Sequence, residues 1–133
     1  MRGSRAKGLT YEKKVGRTLK RWQREGELAG ELLLGPWFSF WDEGGHGYCQ
    51  PDALIITSSF VFILECKLSF TDFAWPQLRR LYKPVVEKVF ERPAITIQVC
   101  RNLYIQPAGL IESLQKTMDD PSSGCLTWHF LGA

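Results

Sequence analysis

No apolar run in this chain of 133 residues approaches the ~20 residues that a membrane-crossing helix requires. The basic N-terminus has no apolar stretch behind it, so it does not read as a secretory signal. Cys49, Cys66, Cys100 and Cys125 include no C-x-x-C pair, and three of them sit in or beside apolar runs. That favours buried thiols in a reducing compartment over a disulfide framework or a zinc site. Histidine is scarce: His46 and Cys49 have a metal-like spacing, but no second pair completes it. Repeats and low-complexity linkers are missing too. Residues 1–133 therefore read as one domain, with a core over about 10–100 and a helix–strand extension over 101–133. These absences predict an intracellular, cytoplasmic protein with no membrane partner.

What is present fits a folded chain. The apolar fraction of 44% and the aromatic fraction of 13% argue against disorder. The net charge of +3 is unevenly placed. Arg2, Arg5, Lys7, Lys13, Lys14, Arg17, Lys20, Arg21 and Arg24 stand against the single acid Glu12. This is either a footprint for phosphate backbones or a solvated tail and helix face.

Thr10 can cap a helix running to about Glu25, with Tyr11, Val15, Leu19 and Trp22 on one face. After a break at Gly26–Gly30, Pro36–Asp42 reads as a first strand and Glu43–Gln50 as a glycine-rich loop. Ala53–Thr57 and Phe60–Lys67 form a hairpin about Ser58-Ser59. Leu54, Ile56, Val61 and Ile63 fall on one face, and Ile55, Phe60, Phe62 and Leu64 on the other. Two apolar faces predict strands covered on both sides. From Thr71 the pattern is helical, with Asp72 as cap, Pro76 in the first turn and Pro84 kinking or splitting the helix. Ala94–Cys100 is a strand, and Asn102–Ile105 a candidate short one. Gly109–Met118 is a short helix stopped by Asp119-Asp120-Pro121, and Cys125–Leu131 a last strand. Trp37, Trp41, Trp75 and Trp128 are expected in the core, although Trp75 beside Pro76 could instead stack on a base. His46 reads as a surface residue close to the site, and His129 as structural.

The hairpin raises a chemical question. With Thr57 facing Phe60, stepping outward one residue on each strand sets Asp52 opposite Glu65. Like charges in that position are destabilising. Glu65 and Lys67 share a face, so three ionisable groups converge at one end of an apolar sheet. Two carboxylates suit Mg²⁺, which keeps several waters for substrate phosphates, and the Cys66 carbonyl could add an oxygen. Lys67 would lie beside such a water or beside charge developing on phosphorus. The bland readings are a turn aspartate, an exposed strand end and a first-turn acid at Glu12. Arg79, Arg80 and Lys83 either grip phosphate or form a solvated face.

Pro51-Asp52, twelve residues, then Glu65-Cys66-Lys67 resembles the PD-(D/E)XK nuclease signature. The helix, three strands, helix, strand order is similar to the αβββαβ core of that superfamily, an α/β restriction-endonuclease-like fold whose mixed sheet is flanked by helices. The resemblance implies a metal-dependent nuclease, with Asp52 and Glu65 as metal ligands and Lys67 as the catalytic lysine. Holliday-junction resolvases and recombination nucleases often add a glutamate on the first helix, and Gly8-x-x-Tyr11-Glu12 looks like that element. It would make Glu12 a further ligand of the metal or of its water. Some members carry Gln-xxx-Tyr on the next helix; here Gln77 and Tyr82 are one residue further apart.

The expectation is an endonuclease that uses Mg²⁺, with Mn²⁺ as a substitute, and acts on single-stranded or branched DNA. Lys13, Lys14, Arg17, Arg21, Gln77, Arg79 and Arg80 would meet the nucleic acid. No base-reading motif is visible, so little sequence specificity is expected. The chain would work as a monomer or homodimer. Its rivals are a dimeric Holliday-junction resolvase and a non-catalytic nucleic-acid binding module on the same fold.

Overall fold

The apolar stripe of the first helix builds one half of the interior. The computed structural model describes residues 4–28, 30–102 and 125–130. Helix α1 (Ser4–Arg24) buries Tyr11, Val15 and Leu19. It starts upstream of Thr10, whose hydroxyl donates to the Ala6 carbonyl at 2.9 Å rather than capping. At its C-terminus Gly26 adopts φ +75°. The amides of Gly26 and Glu27 donate back to the carbonyls of Gln23 and Trp22, which closes the helix as a Schellman turn.

The strand that follows is not the expected one. β1 is Glu31–Leu34, and it pairs antiparallel with β4 (Ala53–Ile56). Gly30 makes this possible, because a Cβ there would lie 2.3 Å from the Ile56 carbonyl oxygen. Gly35, at φ +59°, and Pro36 then turn the chain out of the sheet. The Trp-Phe-Ser-Phe-Trp segment instead forms β2 (Phe38–Asp42) of a separate ribbon with β3 (Gly45–Cys49). The expected Glu43–Gln50 loop is thus mostly strand. Gly45 serves the tight turn at φ +107°, and Gly47 leaves room for the Phe40 ring, whose Cζ would lie 2.6 Å from an added Cβ.

β4 and β5 (Val61–Ser69) pair in the expected register, from Ala53 opposite Leu64 to Ile56 opposite Val61. Thr57 and Phe60 close the turn through the Thr57 amide and the Phe60 carbonyl at 2.8 Å. β6 (Ala94–Asn102) and β7 (Cys125–His129) continue the sheet in parallel, giving the order β1-β4-β5-β6-β7. The helix Gly109–Met118, its stop at 119–121, the candidate strand residues beyond Asn102 and the side chains of Trp128 and His129 lie outside what is described.

Between β5 and β6, α2 (Ala74–Pro76) runs through a π-helical turn (Gln77–Tyr82) into α3 (Lys83–Phe90). Pro84 has no amide to donate, and the Lys83 amide reaches back five residues to the Leu78 carbonyl. The helix is therefore not split in two: it runs on from Ala74 to Phe90, and the widened turn before Pro84 takes up the missing amide. Asp72 is not its cap: Phe73 occupies that position without a side-chain cap. The Gln98 amide instead clasps Thr71 through two 2.9 Å hydrogen bonds.

The sheet divides two cores. Ile55, Phe62, Leu64, Ile95 and Ile97 pack under α1, while Leu54, Ile56, Val61 and Ile63 pack under Leu78, Tyr82 and Val86. The molecule is a mixed α/β structure with helices on both faces of a mixed sheet and a two-stranded ribbon beside it. No helix of the described residues is long and apolar enough to cross a membrane.

Candidate functional site

One step beyond the observed register sets Asp52 opposite Glu65, at the end of β4. Asp52 is half-buried, and its Oδ2 accepts the Cys66 amide at 2.7 Å. Its carboxyl also hydrogen bonds to Glu65 and, across the end of the sheet, to Glu12 on α1. Burial, followed by the Glu65 carboxyl, pushes Asp52 up to about 8; the Cys66 amide and Glu12 oppose this. Glu12 is raised as well, by burial and then by Asp52, with Lys13 and Lys67 pulling it down. Asp52 and Glu12 thus hold on to their protons where the sheet ends.

Glu65 is only 5% exposed and lies on the face covered by the π-helical turn. The Tyr82 hydroxyl hydrogen bonds to it, and burial and the Glu65 charge push that phenol well above its ordinary range. Gln77 Nε2 donates to the Tyr82 hydroxyl at 2.7 Å. The wider π turn brings residues five apart onto one side. It thereby absorbs the extra residue that separates Gln77 from Tyr82. The Tyr82 hydroxyl also reaches the Gln50 carbonyl, at 3.4 Å, which ties the helix to the segment leading into Asp52.

Lys67 is half-exposed, on the same side of β5 as Glu65. Burial raises Glu12 and pushes the thiol of Cys100, the β6 partner of Lys67, up to about 12, with the Lys67 charge acting against both. The N–H and C=O of a strand residue face one edge, so Cys66 turns its carbonyl toward the Asp52 side. The Cys66 thiol is held far above its usual range by burial and then by Asp52 and Glu12, which makes it an inert thiol. Among the described cysteines, Cys49 and Cys100 are buried free thiols and Cys66 a partly buried one.

Glu12 and Asp52 open into a groove of about 370 Å³ between α1 and the end of the sheet, which neither Glu65 nor Lys67 lines. Lys13, Arg17 and Lys20 line it, together with Glu12, Gly35 and Asp52. Lys14 lies on a separate depression with Lys7 and Arg101, and Arg21 lines neither. Arg79 and Arg80 are exposed on the π turn.

Two expectations are corrected here. Trp37 and Trp41 are not core residues: they are 68% and 80% exposed. Their neighbours Phe38 and Phe40 take the inward positions against the second core, and alternation along the strand turns the tryptophans outward. Trp75 is partly buried against that core. His46 is indeed at the surface, 4.7 Å from the Trp41 ring and 4.5 Å from Tyr48.

Sequence reasoning missed Tyr82 as the partner of Glu65. A proline seven residues after Gln77 was the available signal, because it forces the helix to rearrange upstream. It also missed Gln98, which is fully buried, as is Thr96, in a largely apolar strand.

The donor chemistry suits a hard cation. Carboxylates pressed together in a half-buried site must share protons unless a cation replaces them. Among the described residues, no group of three or more His, Cys, Asp or Glu side chains is placed to hold a metal ion by itself. Two carboxylates, a main-chain oxygen and waters are nonetheless the kind of set that Mg²⁺ takes from a protein. Comparisons with protein-family models, curated proteins and solved structures found no match to this chain.

Proposed function

We propose that the chain is a metal-dependent endodeoxyribonuclease on a restriction-endonuclease-like αβββαβ core, with the β2–β3 ribbon inserted after the first core strand. It would cut single-stranded or branched DNA with little sequence preference. The observation that carries this reading is the hydrogen-bonded set of Asp52, Glu65 and Glu12 at the end of the hairpin, of which Asp52 and Glu12 line a groove together with Lys13 and Arg17.

Asp52, Glu65 and the Cys66 carbonyl would hold Mg²⁺, or Mn²⁺ in its place, with Glu12 supporting them. Once bound, such an ion polarises a phosphodiester and lowers the pKa of water. Tyr82 and Gln77 fix the rotamer of Glu65, so that it does not have to be ordered when substrate arrives. Lys67 offers a cation beside the carboxylates, where it can orient the attacking water or offset charge on phosphorus. Lys13 and Arg17 hold the flanking phosphates in the groove.

Cleavage of circular single-stranded DNA tests the reading, with a four-way junction in parallel and Mg²⁺ compared with EDTA. Cutting that needs the ion and is lost in Lys67→Ala is the expected result. Salt-sensitive binding of either DNA with no cutting in Mg²⁺ or Mn²⁺ would overturn it and leave a binding module.

A further inference from the structure

The β2–β3 ribbon presents an aromatic surface that the carboxylate cluster does not use. Its paired residues alternate cleanly. Phe38, Phe40, Gly47 and Cys49 face the second core, while Ser39, Trp41, His46 and Tyr48 face solvent. Trp41 is 80% exposed and Tyr48 65%, and His46 lies between them, tilted 31° from the Trp41 ring and edge-on to Tyr48 at 71°. Trp37, just before β2, is 68% exposed. Single exposed aromatics are ordinary, but a contiguous set on one rigid face marks an interaction surface. The face is rigid because its back is built: Phe38 packs edge-on against Phe90, and the Phe40 ring occupies the space over Gly47.

Charge decides what the ribbon could meet. From Trp37 to Cys49 there is no lysine or arginine, and Asp42 and Glu43 are the acidic residues. The ribbon therefore offers ring faces and no grip on phosphate. The cations are in the adjoining groove, where Lys13 and Arg17 stand. The two surfaces share a root. Gly35 lines the groove, its amide donates to the Asp52 carbonyl at 2.9 Å, and its carbonyl accepts from Gln50 at 3.0 Å. The ribbon leaves and re-enters the domain at this clamp.

We infer that the solvent face of the ribbon, Trp41 and Tyr48 above all, is a stacking platform for unpaired bases of single-stranded DNA whose phosphates run along the α1 groove. A ligand that carries negative charge on one side and flat apolar rings on the other satisfies both surfaces. A duplex does not, because its bases are already stacked on each other. Aromatic side chains accept any base on such a face, in keeping with the absence of base-reading groups. The inference rests on the reading of DNA as substrate and deepens it by naming the unpaired strand.

The test is binding without catalysis. In EDTA, anisotropy gives the affinity for labelled oligothymidylate and for an abasic oligomer of the same length, which carries the same phosphates without bases. Wild type should prefer the thymidylate by about tenfold or more, as expected of at least one stacked base. Trp41→Ala combined with Tyr48→Ala should remove that preference and leave abasic binding unchanged, whereas Trp41→Phe with native Tyr48 should retain most of it. Both side chains are largely exposed, so the variants should fold, and circular dichroism checks this. Equal affinity of the wild type for both oligomers would overturn the platform. So would a dimer in light scattering that the double variant dissolves, since a second copy would then cover the face. Loss of metal-dependent cutting in Lys67→Ala is read separately, so a failed platform and a failed nuclease reading give different results.

Discussion

Two antiparallel hairpins in this chain spend similar residues in opposite ways. β4–β5 is covered on both faces, by α1 on one and by the π-bulged helix on the other, and Leu54, Ile63 and Leu64 are essentially inaccessible. β2–β3 is covered on one face only and leaves Trp41 and Tyr48 in solvent. Covering has a chemical consequence. The acids that extend β4–β5 lose hydration where they meet, so Asp52 and Glu12 hold protons at pH values where exposed acids are ionised. Ionisable chemistry belongs to the covered hairpin and surface contact to the open one.

The largest expected effect separates them by activity. Glu65→Gln should lower cleavage of circular single-stranded DNA in Mg²⁺ by at least about a hundredfold, because it removes a charge that the cation and the transition state need. Trp41→Phe should change the rate little. Equal losses would erase the division of labour.

A second prediction concerns pH. The folded value of Asp52 lies above its ordinary 3.8, near 8. An acid raised in this way stabilises the fold fully below its unfolded value, and that contribution is lost as pH rises through the folded value. Metal-free melting temperature should therefore fall between about pH 4 and 8. Asp52→Asn should flatten this fall while keeping an acceptor for the Cys66 amide. Asp52→Ala would leave that amide unpaired and cost about 1–3 kcal/mol, so alanine is the wrong probe of the charge. A profile as steep in Asp52→Asn as in the wild type would place the titration elsewhere.

The covered hairpin was legible because its pattern admitted one arrangement. Residues 53–57 and 60–64 are apolar on both sides of a Ser-Ser turn, which sets the register, and the register sets Asp52 against Glu65. The ribbon was not legible, for a matching reason. Trp-Phe-Ser-Phe-Trp is aromatic at both parities, so hydropathy cannot say which side faces inward. Gly45 and Gly47 looked like loop residues, whereas Gly47 is a strand position left bare for a ring. The first strand of the sheet was displaced to Glu31–Leu34 because Gly30 allows a backbone approach that no pattern encodes. The bond between Gln77 and Tyr82 depends on a π turn, which alters the helical period on which the sequence argument relied.

A third prediction sharpens the contrast through glycine. Gly47→Ala should destabilise by about 1–3 kcal/mol in urea, since the Phe40 ring must move. Gly8→Ala in α1 meets nothing within 4 Å and should stabilise by up to about 1 kcal/mol. If both substitutions were neutral, the ribbon would be looser than its packing implies. The smallest effect concerns charge. Arg17→Ala should weaken DNA binding and lower the salt slope by about one, and Arg21→Ala, outside the groove, by less.

The central claim is that the carboxylates at the end of the covered hairpin form a cation site. Calorimetric titration of Mn²⁺ into the DNA-free protein, in two buffers of different ionisation heat near pH 7, tests it most directly. The account predicts one specific site whose binding releases a proton, because Asp52 must ionise to bind, and predicts its loss in Asp52→Asn. No binding by the wild type, or binding that survives Asp52→Asn unchanged, would contradict it.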